Sequence, residues 1–234
     1  MCVIVLFLVE LLLTLLFAQR WNHFDQQGGG QFFNIFSRSG PFDIYLFQEC
    51  NDVNRVKNGL VSKGLGNIQT YQSGRGLAVA WNGDRFRLIA KGFNAVGRDT
   101  PTDEPWRGER GIAWVRLEEI STGKKVVAAS HHGPLNVDTG GTTGGSAVAN
   151  AIASAINKVR HSGDRVVVGG DFNADPGFTT IKVLESLGYK RHAHDWVDYI
   201  FTTGTSGLSS IPETKIIRDT GSDHRGIKTT WSSL

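Results

Sequence analysis

The chain has 234 residues, 40% of them hydrophobic and 20% charged, with a formal net charge of +3 and two cysteines. That length suits one domain with a real core, and the composition excludes a disordered chain. Two cysteines exclude both a disulfide-framed miniprotein and a cysteine-based zinc cluster, while the small positive balance permits an anionic partner without demanding one.

Residues 1–18 are almost wholly apolar, broken by Glu10 and Thr14. A secretory signal ending at the small residue Ala18 is the leading reading. It would make the protein secreted and leave residues 19–234 as the working domain. An N-terminal membrane anchor comes second. A buried first strand running towards Trp21-Asn22 comes third. Phe32, Phe33, Ile35 and Phe36 then cluster at roughly helical spacing. The run Phe42 to Phe47 predicts a strand buried on both faces. Asn51 or Asp52 can cap a helix whose apolar positions are Val53, Val56 and Leu60.

A strand-rich stretch follows. Asn82-Gly83 between Leu77–Trp81 and Phe86–Ala90 predicts a hairpin. Ile112–Leu117 and Val126–Ser130 flank a second turn at Ser121, Thr122 and Gly123. The polar loop Gly97 to Gly108 between these pairs is long enough to suggest function. Ser146 can cap a helix carrying Val148, Ile152, Ile156 and Val159. Val166 to Val168 predicts a buried strand leading into Gly169-Gly170-Asp171, and a short helix follows over Thr179 to Leu187. Trp196–Phe201, Thr214–Arg218 and Gly226–Trp231 predict further strands. Many strands with few helices imply an α+β domain of two packed sheets with helices outside.

Polar residues gather where these apolar strands end: Trp21-Asn22, Gln48-Glu49, His131-His132, Asp171-Phe172-Asn173 and Ser222-Asp223-His224. Asp198 sits inside an apolar strand. Such groups are costly in a buried strand unless they are paired, hydrogen-bonded or bound to metal. Carboxylates and amides offer hard oxygen ligands of the kind Mg²⁺ prefers, and histidines can move protons. Asp171 and Asn173, two apart, would point the same way on an extended chain. His131 and His132 would point to opposite faces, so one of them enters the site.

Taken in order, Asn22, Phe-Gln-Glu at 47–49, His131, Gly-Asp-Phe-Asn at 170–173, Asp-Tyr-Ile-Phe at 198–201 and Ser-Asp-His at 222–224 resemble the endonuclease/exonuclease/phosphatase superfamily. The resemblance implies a four-layer α/β/β/α sandwich of two mostly antiparallel sheets flanked by helices. It implies a metal-dependent phosphodiesterase, foremost a nuclease acting on DNA or RNA. The alternatives are a phospholipid or sphingomyelin phosphodiesterase, a phosphoinositide phosphatase, and an inactive binding module of the same fold. Mg²⁺ is the implied cofactor, with Mn²⁺ or Ca²⁺ as substitutes. Glu49, Asn22 and Asp223 would hold the metal. His131, Asp171, Asn173, Asp198 and His224 would be catalytic, and Arg110 would contact phosphate. The spacing of the family strand selects His131 over His132. The family's carboxylate partner for that histidine has no counterpart between Gly74 and Trp81. The expected partners are a nucleic acid substrate, or a lipid or inositol phosphate. No protein partner is implied, and a monomer is expected.

Overall fold

A computed structural model describes residues 13–18, 42–100, 108–135, 144–203, 213–218 and 224–231. Asn22, Ser222, Asp223, Cys2 and the aromatic cluster at 32–36 lie outside the described residues.

Two six-stranded mixed sheets pack face to face. The first contains β1 (Leu13–Ala18), β2 (Ile44–Phe47), β3 (Ile68–Gln72), β4 (Ala78–Asn82), β11 (Glu213–Ile217) and β12 (Gly226–Trp231), in the order β11-β12-β1-β2-β4-β3. The second contains β5 (Phe86–Arg98), β6 (Glu109–Glu119), β7 (Lys125–His132), β8 (Arg165–Asp171), β9 (Lys190–Asp195) and β10 (Asp198–Thr203), in the order β5-β6-β7-β8-β10-β9. Among the described residues, only β1 with β2 and β7 with β8 run parallel; the other pairings are antiparallel. Helix α1 (Val53–Ser62) covers the first sheet, while α2 (Gly145–Val159) and α3 (Thr179–Ser186) cover the second.

Alternation along the strands makes the four layers. Ile44 and Leu46 point into the inter-sheet core with Val126, Ala128, Val167 and Ile200. Tyr45 and Phe47 point outward, to Val56 and Leu60 of α1. Val127, Ala129, Val166 and Val168 point outward from the second sheet, to Val148, Ile152 and Ile156 of α2. A fully buried aliphatic side chain of this kind contributes roughly 1.5–3 kcal/mol. The expected α+β sandwich is therefore the observed fold.

Several local expectations hold and several do not. Asp52 caps α1, accepting from the backbone N–H of Asn54 and Arg55, and Val53, Val56 and Leu60 are its buried residues. The β6–β7 hairpin forms as expected. Asn82-Gly83 is not a hairpin turn: β4 and β5 belong to different sheets. The chain crosses between layers there, held by Asn82 N–H to Asp43 O at 2.9 Å and Gly83 N–H to Asn67 O at 2.6 Å. Arg85 fastens the crossing by bonding both Asp43 and Glu119. Ser146 is not the cap of α2; Gly144 precedes the helix and no side chain caps it. Trp196 lies in a turn, not a strand, and β9 is an additional strand.

Leu13–Ala18 is β1, paired to β12 on one side and β2 on the other. For these six residues the strand reading describes the apolar run. A cut after Ala18 would remove a strand from the middle of the first sheet. No described helix is long and apolar enough to cross a membrane.

Candidate active site

One row of side chains runs across the second sheet where β7, β8 and β10 meet. His132 is in register with Asp171, and Asp171 with Asp198. Residues in register share a face. Ala128 and Val167, an even number of residues before His132 and Asp171, mark that face as the one turned to the other sheet. His132, Asp171 and Asp198 are 5%, 4% and 1% exposed. Three polar groups are thus buried at one end of the sandwich.

His131 goes the other way. Its ring packs on Phe172 with centroids 4.6 Å apart, and Nδ1 donates to Gly111 O at 2.9 Å. Nε2 has no hydrogen-bond partner among the described residues. Burial holds the imidazole neutral, at about 4. Where His131 was expected to enter the site, strand alternation turns its ring to the helix side and turns His132 towards Asp171, with Nε2 3.6 Å from Oδ2.

Arg110 Nη1 lies 3.0 Å from His132 Nδ1 and 3.2 Å from Nε2. Arg110 Nε donates to Asp99, at 2.9 Å from each carboxylate oxygen. Asp99 also accepts the backbone N–H of Gly108 and Leu135. Asp99 therefore ties the end of β5, the start of β6 and the segment after β7 together under the arginine. An arginine can only donate, so the imidazole nitrogen facing it carries a lone pair.

The Gly170-Asp171-Phe172-Asn173 segment is shaped by close approach. A Cβ on Gly170 would meet His131 O at 1.9 Å, and one on Gly133 would meet Phe172 O at 2.1 Å. The chain does not stay extended past Asp171. Asn173 has φ of +47°, its N–H bonds Asp171 Oδ1 at 2.8 Å, and its Nδ2 bonds Gly133 O at 2.9 Å. An Asx-type turn, not strand alternation, brings this pair together.

The first sheet contributes Glu49. Regular alternation would send it to the α1 side with Tyr45 and Phe47. Its φ of +51° breaks that alternation, and its charge reaches Asp171. Gln48 fixes the position across the core: its Nε2 donates to Ser130 Oγ at 2.6 Å, and Ser130 Oγ donates to Phe47 O at 2.8 Å. Gly76 allows the fit, since a Cβ there would come within 3.3 Å of Glu49 Cα.

His224 completes the cluster from the segment before β12. Its Nδ1 lies 2.8 Å from Asp198 Oδ2. Ligand atoms of Asp171, Asp198 and His224 all lie within 4.8 Å of one another. Burial, then the charges of Asp198 and Glu49, push the Asp171 carboxyl up to about 7. This crowding of acids suits a cation, and the oxygen-rich donors suit a hard divalent one.

The structure therefore gathers Glu49, Asp171, Asn173, Asp198 and His224, and adds Arg110 through His132. It separates His131 from them, and Asn22 and Asp223 lie outside the described residues. Sequence reasoning missed His132 and Asp99. Asp99 stands inside the polar loop already singled out, but nothing in the sequence pairs it with Arg110.

The profile of the Endonuclease/Exonuclease/phosphatase family matches residues 22–224. No curated protein matches the sequence. Similar solved structures include an endonuclease/exonuclease/phosphatase from Bacteroides vulgatus, with TM-score 0.73, 14% identity, and coverage of 94% of this chain and 98% of that one. A mannosyl-6-phosphatase from Bacteroides thetaiotaomicron has TM-score 0.69, 17% identity, and coverage of 93% and 98%. The human Nocturnin catalytic domain, with bound sulfate, has TM-score 0.63, 15% identity, and coverage of 94% and 94%.

Proposed function

The chain belongs to the endonuclease/exonuclease/phosphatase family, whose members are phosphoesterases and nucleases, and from that premise we propose that it is a divalent-metal-dependent phosphodiesterase that cuts nucleic acid backbones. The observation that carries this reading is the buried row His132–Asp171–Asp198, closed by His224 on one side and Arg110 on the other.

Glu49 would hold the cation, with Asn22 and Asp223 as further ligands implied by the family pattern. When bound, the cation would draw negative charge off the phosphoryl group and the leaving oxygen. Asp171, oriented by the Asn173 N–H, would hold the attacking water and take its proton. Asp198 fixes the His224 ring through Nδ1, and the imidazole would move a proton. Arg110 is held by Asp99 and has no hydrogen bond to Nη2 among the described residues, so its guanidinium can still grip a phosphate oxygen. A formal charge of +3 favours a polyanionic substrate over a neutral one. Secretion, read from the apolar run at residues 1–18, stays with this proposal.

The test is plasmid nicking by the full chain in Mg²⁺, repeated in EDTA and with Glu49→Ala and His224→Ala. Nicking that needs the metal and is lost in both variants supports the reading. Hydrolysis of a sugar phosphate or a phospholipid, with intact plasmid, would replace the nuclease with a different phosphoesterase.

A further inference from the structure

Three non-glycine residues among those described have positive φ: Glu49 at +51°, Asn173 at +47° and Trp196 at +53°. All three border the same site. The first two bring a carboxylate and an amide to it. Trp196 brings neither, and it breaks a local rule more severely.

Trp196 and Val197 form the two-residue turn between β9 and β10, with Asp195 facing Asp198 across it. Positive φ at the first turn residue is the place where glycine is preferred. A bulky side chain there is strained, and such strain persists only where its surroundings over-determine it. The surroundings do so. Val197 is buried and its carbonyl accepts from Phe172 N–H at 2.9 Å. Arg225 pairs with Asp195 at the end of β9. The turn is pinned from both sides, with Val197 inward and Trp196 outward.

The indole is not serving the core. It is 62% exposed, the most exposed large hydrophobic side chain among the described residues. Its ring centroid lies 4.8 Å from that of His224, with the planes 37° apart. Contact with His224 uses a minor part of its surface. What remains is a large flat apolar face beside the proton-transfer histidine.

We infer that Trp196 is a stacking platform for the nucleobase attached to the phosphate being cut, a role that rests on the nuclease reading. An aromatic face takes any base, because every base has a π-face. The platform would therefore add affinity for a nucleotide without selecting sequence.

Calorimetric titration of the full chain in Mg²⁺ compares thymidine 5′-phosphate with deoxyribose 5-phosphate and octyl phosphate. The native chain should bind the nucleotide about tenfold more tightly than the sugar phosphate, the scale of one stacked base. Trp196→Phe should keep most of that ratio. Trp196→Gly should abolish it while melting at or above the native temperature, because glycine accepts the positive φ. The proposal falls if the native chain shows no preference for the nucleotide, if the glycine variant retains it, or if octyl phosphate alone gains. Plasmid nicking separates the two readings: no nicking with the nucleotide preference intact removes the nuclease and leaves Trp196 as a base platform for a mononucleotide substrate.

Discussion

Across the parallel pairing of β7 with β8, the His132 imidazole stands beside the Asp171 carboxylate, with Nε2 3.6 Å from Oδ2. Arg110 approaches the same ring from the other strand neighbour, β6. Under the proposed function, a phosphoryl oxygen entering here would meet an imidazole and a guanidinium whose positions are already set. His132→Ala should lower kcat by about 10²–10³-fold, the cost of removing one preorganised donor. His131→Gln should leave kcat within a few-fold and lower stability instead, because that ring packs on Phe172 away from the site. Steady-state rates paired with thermal melts separate the two. Equal loss of kcat in both variants would reject this assignment.

Asp198 and His224 make the second test. Asp198→Asn keeps the shape but removes the charge that holds the imidazole. The rate should fall by about 10²–10⁴-fold, the usual reach of acid–base catalysis. Stability without metal should rise, since one of two adjacent buried carboxylates is gone. A slower but more heat-resistant protein is the expected pair of results.

Stability should depend on pH through two opposing sets of groups. Asp171 rises from 3.8 in the unfolded chain to about 7 when folded. Its contribution is therefore fully present below about 3.8 and is lost as pH climbs through about 7. His131 and His192 fall from 6.5 to about 4, chiefly through burial. Their contribution is present above 6.5 and is lost as pH drops towards 4. In EDTA, the urea midpoint of Asp171→Asn should gain on the native chain steadily between pH 4.5 and 8. Mg²⁺ should restore the native chain more at pH 8 than at pH 5, since the cation favours the ionised carboxyl. A gap that does not change with pH would contradict the assignment.

Removing residues 1–18 tests the place of β1. The strand pairs on both sides, with Leu16 opposite Lys228 and Tyr45. Without it β2 and β12 lose their common partner, and their backbone groups are left without the hydrogen bonds they make now. A chain beginning at Gln19 should be insoluble or lack a cooperative melt, whereas one beginning at Leu12 should fold. Cooperative unfolding of the shorter chain would show that another segment completes the sheet.

Much of the architecture was legible from local pattern. Val53, Val56 and Leu60 after Asp52 specify α1 because cap and spacing agree. The continuous apolar run around Ile44 to Phe47 specifies a strand covered on both sides, by α1 and by the second sheet. The order of the motifs also singled out Asp171, Asp198 and His224, whose side chains the fold brings together. Asn82-Gly83 misled because turn chemistry says that the chain bends, not which sheet it bends into.

The sequence alone determined the two-sheet fold, the set of oxygen- and imidazole-bearing residues, and their places at strand ends, because periodicity and local propensity act over a few neighbours. Only tertiary structure decided which face each residue took at those ends. That His132 rather than His131 stands beside Asp171 follows from register between β7 and β8, a pairing of segments 39 positions apart. The reach of Glu49 and the outward set of Trp196 follow from positive φ values held by distant contacts. Strand pairing and steric closure between remote segments fix these orientations, and no short stretch of sequence carries that information.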